Sequence, residues 1–420
     1  MSPTCHAKPT FAPKKSYTGI LAALAVLAST AIAQPLPPKI EDKRVAPDVF
    51  AIMAWDRIAG NDQVDDLYDA GFNLSGFCSD EMFDYVHEKG MQCFVHDTDI
   101  QIRGHEDMSD EEIESRVKRI TQRTASHPAV FGYHIIDEPP TSMFPIVSKW
   151  MKAFKKAAPE KVPYTNLFPD YGNNAGLGGP FETYLSEFVK QAEPTYWSYD
   201  HYAVMDDGSL RPQYFQNLEV AAKVARESGV PFWHVVLANA HFNYTEPTPA
   251  TMRFQAYTSL AYGARGLGWF TFTARERGNY RNTAVDAYGR RTPTFDMIRD
   301  VNLQMHRLAP ALNDATHSAV YHTPTVTNGM RGIETSKYLT KINGPGDYVV
   351  GEYDHETSGG MVLVVNKSLT KSSSFHPVPK EKSRILKVSS TTGETIPWSA
   401  ENEWLAPGQG MLLLFEKEED

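Results

Sequence analysis

The chain has 420 residues, 41% of them hydrophobic and 22% charged, with 28 glycines, 28 prolines and a formal net charge of -10. These values exclude a fibrous, low-complexity or disordered chain and allow one large globular domain plus a smaller one. The acidic balance argues against nucleic-acid and anionic-lipid partners and suits a neutral or weakly charged substrate.

Lys8, Lys14 and Lys15 precede an apolar stretch, residues 19–33, that closes in the small-residue run Ala31-Ile32-Ala33. This is the layout of a secretory signal peptide, residues 1–33, and it predicts a secreted or periplasmic protein. A membrane anchor is the competing reading, for which the stretch is short. Cys5 falls in the leader. Cys78 and Cys93 either pair in an exported chain or serve as small buried hydrophobes; no CxxC metal spacing is present.

From residue 49, eight strand candidates follow one another: 49–56, 71–77, 92–97, 130–138, 163–169, 195–202, 230–239 and 266–272. Amphipathic helical segments lie between them at 80–89, 109–127, 148–158, 181–192, 211–228 and 251–264, with a last one at 294–313. Ser109 and Glu112 read as a capping box opening the second of these. Eight βα units over this length predict a (β/α)8 barrel, residues 45–315. A doubly wound open sheet competes, but no GxGxxG or GxxxxGK[ST] loop follows any strand, so no nucleotide cofactor is expected. Beyond residue 315 the segments 348–353, 361–366, 383–388 and 411–416 alternate with Gly, Pro, Ser and Thr clusters and predict a small β-sandwich, residues 316–420. Trp398 and Trp404 there either stack on sugars or pack the core, and the acidic end 418–420 reads as solvated.

A parallel barrel turns the C-terminal ends of all its strands toward one face, so residues at those ends become neighbours. The fourth strand, in HPAVFGYHIIDEPP (residues 127–140), runs from apolar residues into Asp137 and Glu138 and is stopped by two prolines. The other strand ends offer Asp56, Asp80, Asp97, Asp170, Asp200 with His201 and Tyr202, His241, Thr271 and Thr273. Aromatic residues accompany them, including Trp55, Trp197, Trp233 and Trp269, and flat rings suit the apolar faces of sugars or fill the barrel. Asp56, Asp97, Asp137, Trp197, His201, Tyr202, His241 and Trp269 are therefore candidate substrate-binding residues.

The segments GYHIIDEP, YWSYDHY, RFQAYTSLAYGARGLGWFTF and VNLQMHRLAPAL, with MVLVVNKS and LAPGQGMLLLF near the C-terminus, resemble bacterial (β/α)8 glycoside hydrolases of the clan A type, distantly the family 42 β-galactosidases. The resemblance implies a hydrolase of O-glycosidic bonds in a poly- or oligosaccharide, with Glu138 as acid/base. Two departures stand out: Asp137 occupies the place where clan A has Asn, and the seventh strand ends in Leu237-Ala-Asn-Ala-His241 without the Glu expected there.

Glycoside hydrolysis needs one protonated and one ionised carboxyl across the scissile bond. The like charge at Asp137 and the apolar Ile135 and Ile136 raise the pKa of Glu138, as an acid requires. For the second carboxyl, Asp200 is placed better by position and Glu246 by strand number, with Asp97 and Glu276 as further choices. Two rival classes remain open. One is a metal-dependent hydrolase using Asp97, Asp200, His201 and His241; the other is a non-catalytic carbohydrate-binding barrel.

Overall fold

Along β1 (Ala51–Ala54) the side chains of Ala51 and Met53 join one apolar cluster, while those of Ile52 and Ala54 join another. This period of two places one set inside a closed sheet and the other beneath a ring of helices. The computed structural model describes residues 42–171, 174–275, 277–355, 359–401 and 403–417. The expected signal peptide, Glu276 and the acidic end 418–420 lie outside the described residues.

Seven further strands follow: β2 (Leu74–Cys78), β3 (Gln92–Val95), β4 (Val130–Asp137), β5 (Val162–Leu167), β6 (Trp197–Asp200), β7 (Phe232–Leu237) and β8 (Gly266–Phe270). Each pairs in parallel with the next, and β8 closes on β1 with Ala51 opposite Gly266 and Ala54 opposite Trp269. The result is a (β/α)8 barrel. Its interior is filled by side chains such as Met53, Phe94, Tyr164 and Trp233, with the Phe94 and Tyr164 rings stacked 4.5 Å apart.

The helices are α1 (Asn61–Asp69), α2 (Phe83–Glu88), α3 (Asp110–Thr124), α4 (Phe144–Ala157), α5 (Phe181–Ala192), α6 (Tyr214–Ser228), α7 (Pro249–Ala261) and α8 (Pro293–Asn313). Sequence patterning passes over α1 because only Val64 and Leu67 in it are buried, too few for a visible apolar stripe. At α3 the Ser109 hydroxyl accepts from the Glu112 N–H at 3.2 Å, but the Glu112 carboxylate turns to Arg116 at 2.8 Å, so only half of the expected capping box forms. A complete box opens α7 instead, between Thr248 and Thr251.

The C-terminal region is antiparallel. Its main sheet runs in the order Ala315–Thr323, Tyr348–His355, Met361–Asn366, Gly410–Lys417, Ser383–Val388 and Thr395–Pro397. One face, with Val349, Tyr353, Leu363 and Leu412, merges into the barrel's helical core. The other face, with Val350, Val362 and Leu413, packs on Phe375 and on the short ribbons that form the second layer. A barrel followed by a small β-sandwich is therefore the architecture. The contact with α7 is so close at Gly351 that a Cβ there would lie 2.1 Å from the Ala261 carbonyl oxygen. Trp398 packs toward Phe375, whereas Trp404 is 59% exposed. Cys78 and Cys93 are both buried free thiols on neighbouring strands. Among the described residues no helix is long and apolar enough to cross a membrane.

Candidate active site

The alternation of β4 breaks twice. Phe131 faces the barrel interior and Tyr133, two residues on, the helices, because the pairing with β3 shifts register between Val130 and Gly132; the pairing with β5 then shifts between His134 and Ile136, and Ile135 and Ile136 both turn to the outer core. Glu138 then adopts φ 47°, the left-handed region that costs a non-glycine residue about 1 kcal/mol or more. The turn is held from several sides. The Glu138 N–H donates to the Asn166 carbonyl at 2.9 Å, the Arg103 guanidinium donates to the Asp137 and Glu138 carbonyls at 2.6 and 3.2 Å, and the Tyr184 hydroxyl donates to the Pro139 carbonyl at 2.7 Å. Both carboxyls are thereby delivered to the rim.

On β6 the alternation is regular. Trp197 and Tyr199 enter the outer core, so Ser198 and Asp200 point inward. On β5, Asn166 shares the inward side with Tyr164, and its amide donates to Asp137 Oδ1 at 3.2 Å and to Asp200 Oδ1 at 3.1 Å. The Ser198 hydroxyl donates to Asn166 Oδ1 at 2.8 Å and lies 2.6 Å from the Tyr164 hydroxyl, which orients the amide toward the acids. Glu138 and Asp200 line the same cleft, and the Asn166 amide links Asp200 to Asp137, the chain neighbour of Glu138.

These groups floor a cleft of about 430 Å³ walled by Trp55, Phe168, Tyr171, Tyr202, His241, Tyr244, Phe270, Arg275 and Tyr280. Burial, and after it the charge of Asp137, pushes the Glu138 carboxyl up to about 7. Burial, followed by the charges of Glu138 and Asp137, also raises Asp200. Asp137 is raised by burial against its hydrogen bond from Asn166. These surroundings therefore favour the protonated form at both Glu138 and Asp200.

The cleft brings together Glu138, Asp200, Asp137, Tyr202 and His241. The other candidates lie elsewhere. Asp56 Oδ2 accepts from the Phe272 and Thr273 N–H groups at 2.7 and 3.4 Å, tying the segment after β8 to the end of β1, and burial raises its pKa to about 7. Asp97, with Asp80, is bound to Arg123 of α3. The Glu246 carboxylate accepts from Arg281 at 2.8 Å and Asn282 at 2.6 Å, joining the loop after β7 to the loop after β8. Trp197 and Trp269 are fully buried on the outer side; the Trp197 indole donates to the Val230 carbonyl and that of Trp269 to Asn302 Oδ1 of α8 at 2.8 Å. His201 is also outside the barrel wall, 3.4 Å from Asp170 and packed on Tyr171 and Tyr214. The four groups named for a metal thus do not converge, and among the described residues no three His, Cys, Asp or Glu side chains are grouped to hold one.

Several lining residues escaped sequence reasoning. Asn166 carried a usable signal, since strand alternation puts it on the same side as Tyr164. Tyr171, Tyr244, Arg275 and Tyr280 sit on loops, where no periodicity tells which side chain enters a cleft. Arg211 organises two of them, with its guanidinium 3.8 Å from the Tyr171 ring centre and 2.8 Å from the Tyr244 hydroxyl.

No protein-family model and no curated protein sequence matches the chain. Solved structures do. The β-galactosidase from Bacillus circulans sp. alkalophilus aligns with a TM-score of 0.60 at 9% identity, covering 87% of this chain and 99% of that one. A glycoside hydrolase family 5 protein from Bacteroides vulgatus ATCC 8482 aligns with a TM-score of 0.54 at 12% identity, covering 88% and 89%. Against the β-galactosidase of the psychrophilic Marinomonas ef1 the TM-score is 0.47 at 9% identity, and this chain spans only 60% of that protein's length. At such identities the likeness is one of fold: the chain is built as these glycoside hydrolases are built.

Proposed function

We propose that this chain is a glycoside hydrolase in which Glu138 is the general acid/base and Asp200 its partner carboxyl. One observation carries the reading: two carboxyls, one from the end of β4 and one from β6, line the floor of a single cleft walled by aromatic rings. The fold shared with glycoside hydrolases supports it. Burial and the charge of Asp137 raise both carboxyls, and of the two only Asp200 has the Asn166 amide to favour its charged form, so we assign the proton to Glu138 when a sugar separates the pair.

Carboxyls about 5–5.5 Å apart act as nucleophile and acid/base, while separations of about 6.5–9.5 Å hold a water between them. With both carboxyls on the floor of one cleft, we take the shorter arrangement. In the first step an Asp200 oxygen bonds to the anomeric carbon as Glu138 gives its proton to the departing glycosidic oxygen. In the second, Glu138 takes a proton from water, whose oxygen displaces Asp200 with net retention. Trp55, Tyr202 and Tyr280 supply aromatic surface for the sugar. We further read the chain as exported, on its apolar N-terminal stretch, and its substrate as a poly- or oligosaccharide.

The test is reducing-sugar release by the purified protein across a panel of glycans. Glu138→Gln is expected to keep its circular dichroism and lose about a thousandfold or more in turnover. Undiminished release by the variant would overturn the assignment.

A further inference from the structure

The floor of the cleft is acidic, and one wall carries a cation that no floor carboxylate holds in an ion pair. Arg275 lies just beyond β8, and its guanidinium is 4.7 Å from the centre of the Phe270 ring and 5.8 Å from that of Tyr280. Tyr280 is in turn stacked on His241, 4.9 Å between ring centres and 17° between planes, so the wall behind the guanidinium is stiff. Among the described residues no carboxylate forms an ion pair with Arg275 and no acceptor takes its N–H groups. Three other arginines near the cleft are engaged: Arg103 with the Asp137 and Glu138 carbonyls, Arg211 with the Tyr202 carbonyl and the Tyr244 hydroxyl, Arg281 with Glu246. The charge of Arg275 lowers Asp137 and Asp56, in each case after burial and hydrogen bonding, and it forms an ion pair with neither.

A guanidinium lying over an aromatic ring is weakly hydrated, and with its N–H groups unpaired it suits two parallel hydrogen bonds to a planar carboxylate. We propose that Arg275 is a specificity residue that binds the carboxylate of a uronic acid, so that the glycan taken by this cleft is acidic. This deepens the hydrolase reading and rests on the same cleft. The net charge of -10 does not oppose it, because charges beyond about 8 Å are largely screened at physiological ionic strength, whereas Arg275 acts by contact.

The test is binding, measured by calorimetry on the full chain with polygalacturonate, alginate and glucuronoxylan fragments, each beside its carboxyl-reduced neutral twin. A sulfated neutral galactan forms a further arm. The wild type is expected to bind at least one acidic glycan ten or more times more tightly than its reduced twin. Arg275→Gln should bring that ratio close to one, and Arg275→Lys, which keeps a point charge, should retain part of it. An equal ratio in wild type and Arg275→Gln, preference for the reduced twins, or no binding to any acidic member overturns the inference. Preference for the sulfated galactan over the uronates overturns the carboxylate assignment. Binding does not depend on turnover: undiminished sugar release by Glu138→Gln would remove the hydrolase reading and leave this result standing.

Discussion

Asp137 and Glu138 are adjacent, and a two-residue period cannot send adjacent side chains into one cleft unless the strand is broken between its inner and outer faces. The register shift at His134 to Ile136 and the left-handed turn at Glu138 make that break, and neither has a signature in the residue string HIIDEP. The presence of acids at the end of β4 was legible; which of them reaches the cleft was not. The assigned roles predict different rescue chemistry. In Asp200→Gly, azide should enter the vacated space and yield a glycosyl azide of inverted configuration, while in Glu138→Ala it should yield the retained one, both read by proton NMR. The same configuration from both variants would remove the division of labour. Since Glu138 must be protonated to act and burial holds it up to about 7, kcat/KM should fall as pH rises through about 7. Glu246→Gln keeps a hydrogen-bonding group toward Arg281 and Asn282 outside the cleft, so its loss of kcat/KM should stay below about tenfold.

At the scale of elements, strands and long helices were readable because burial on one side imposes a period. Strand alternation also separates Asp200 and Ser198 from Trp197, Tyr199 and His201, a distinction available from YWSYDHY alone once the strand is recognised. Loops have no such constraint, which is why Tyr171, Tyr244, Arg275 and Tyr280 went unread while Trp55, Tyr202 and His241 did not. Helix ends fall between the two cases. Ser109 caps α3 through one hydrogen bond and without reciprocity from Glu112, so Ser109→Ala should cost about 0.5–1 kcal/mol in urea unfolding and leave kcat unchanged. A loss above about 2 kcal/mol would show that the box closes in solution.

At the scale of the whole molecule, two sets of buried titrating groups set stability against pH with opposite signs. Burial drives His134, His317 and His322 down to about 3 and His241 and His306 to about 4. Between those values and about 6.5 the unfolded chain binds protons that the folded chain refuses, so stability is lost as pH falls through this window. Asp56, Glu138 and Asp200 act the other way. Their folded values are raised above the ordinary carboxylate range, so the folded chain keeps protons that the unfolded chain has released, and their stabilisation fades as pH rises from about 4 to about 7. The histidines outnumber the acids, so the protein should unfold cooperatively in acid, with a midpoint above about pH 4, followed by far-UV circular dichroism. Glu138→Gln isolates the opposing contribution, because the amide cannot be forced to ionise. Relative to wild type it should gain about 1–2 kcal/mol between pH 5 and pH 8 in urea unfolding, a figure reduced from the full shift because the cleft admits water. A gain that is independent of pH would mean that Glu138 carries no raised pKa in the folded protein, and the acid assigned to the cleft would have to be sought at Asp200.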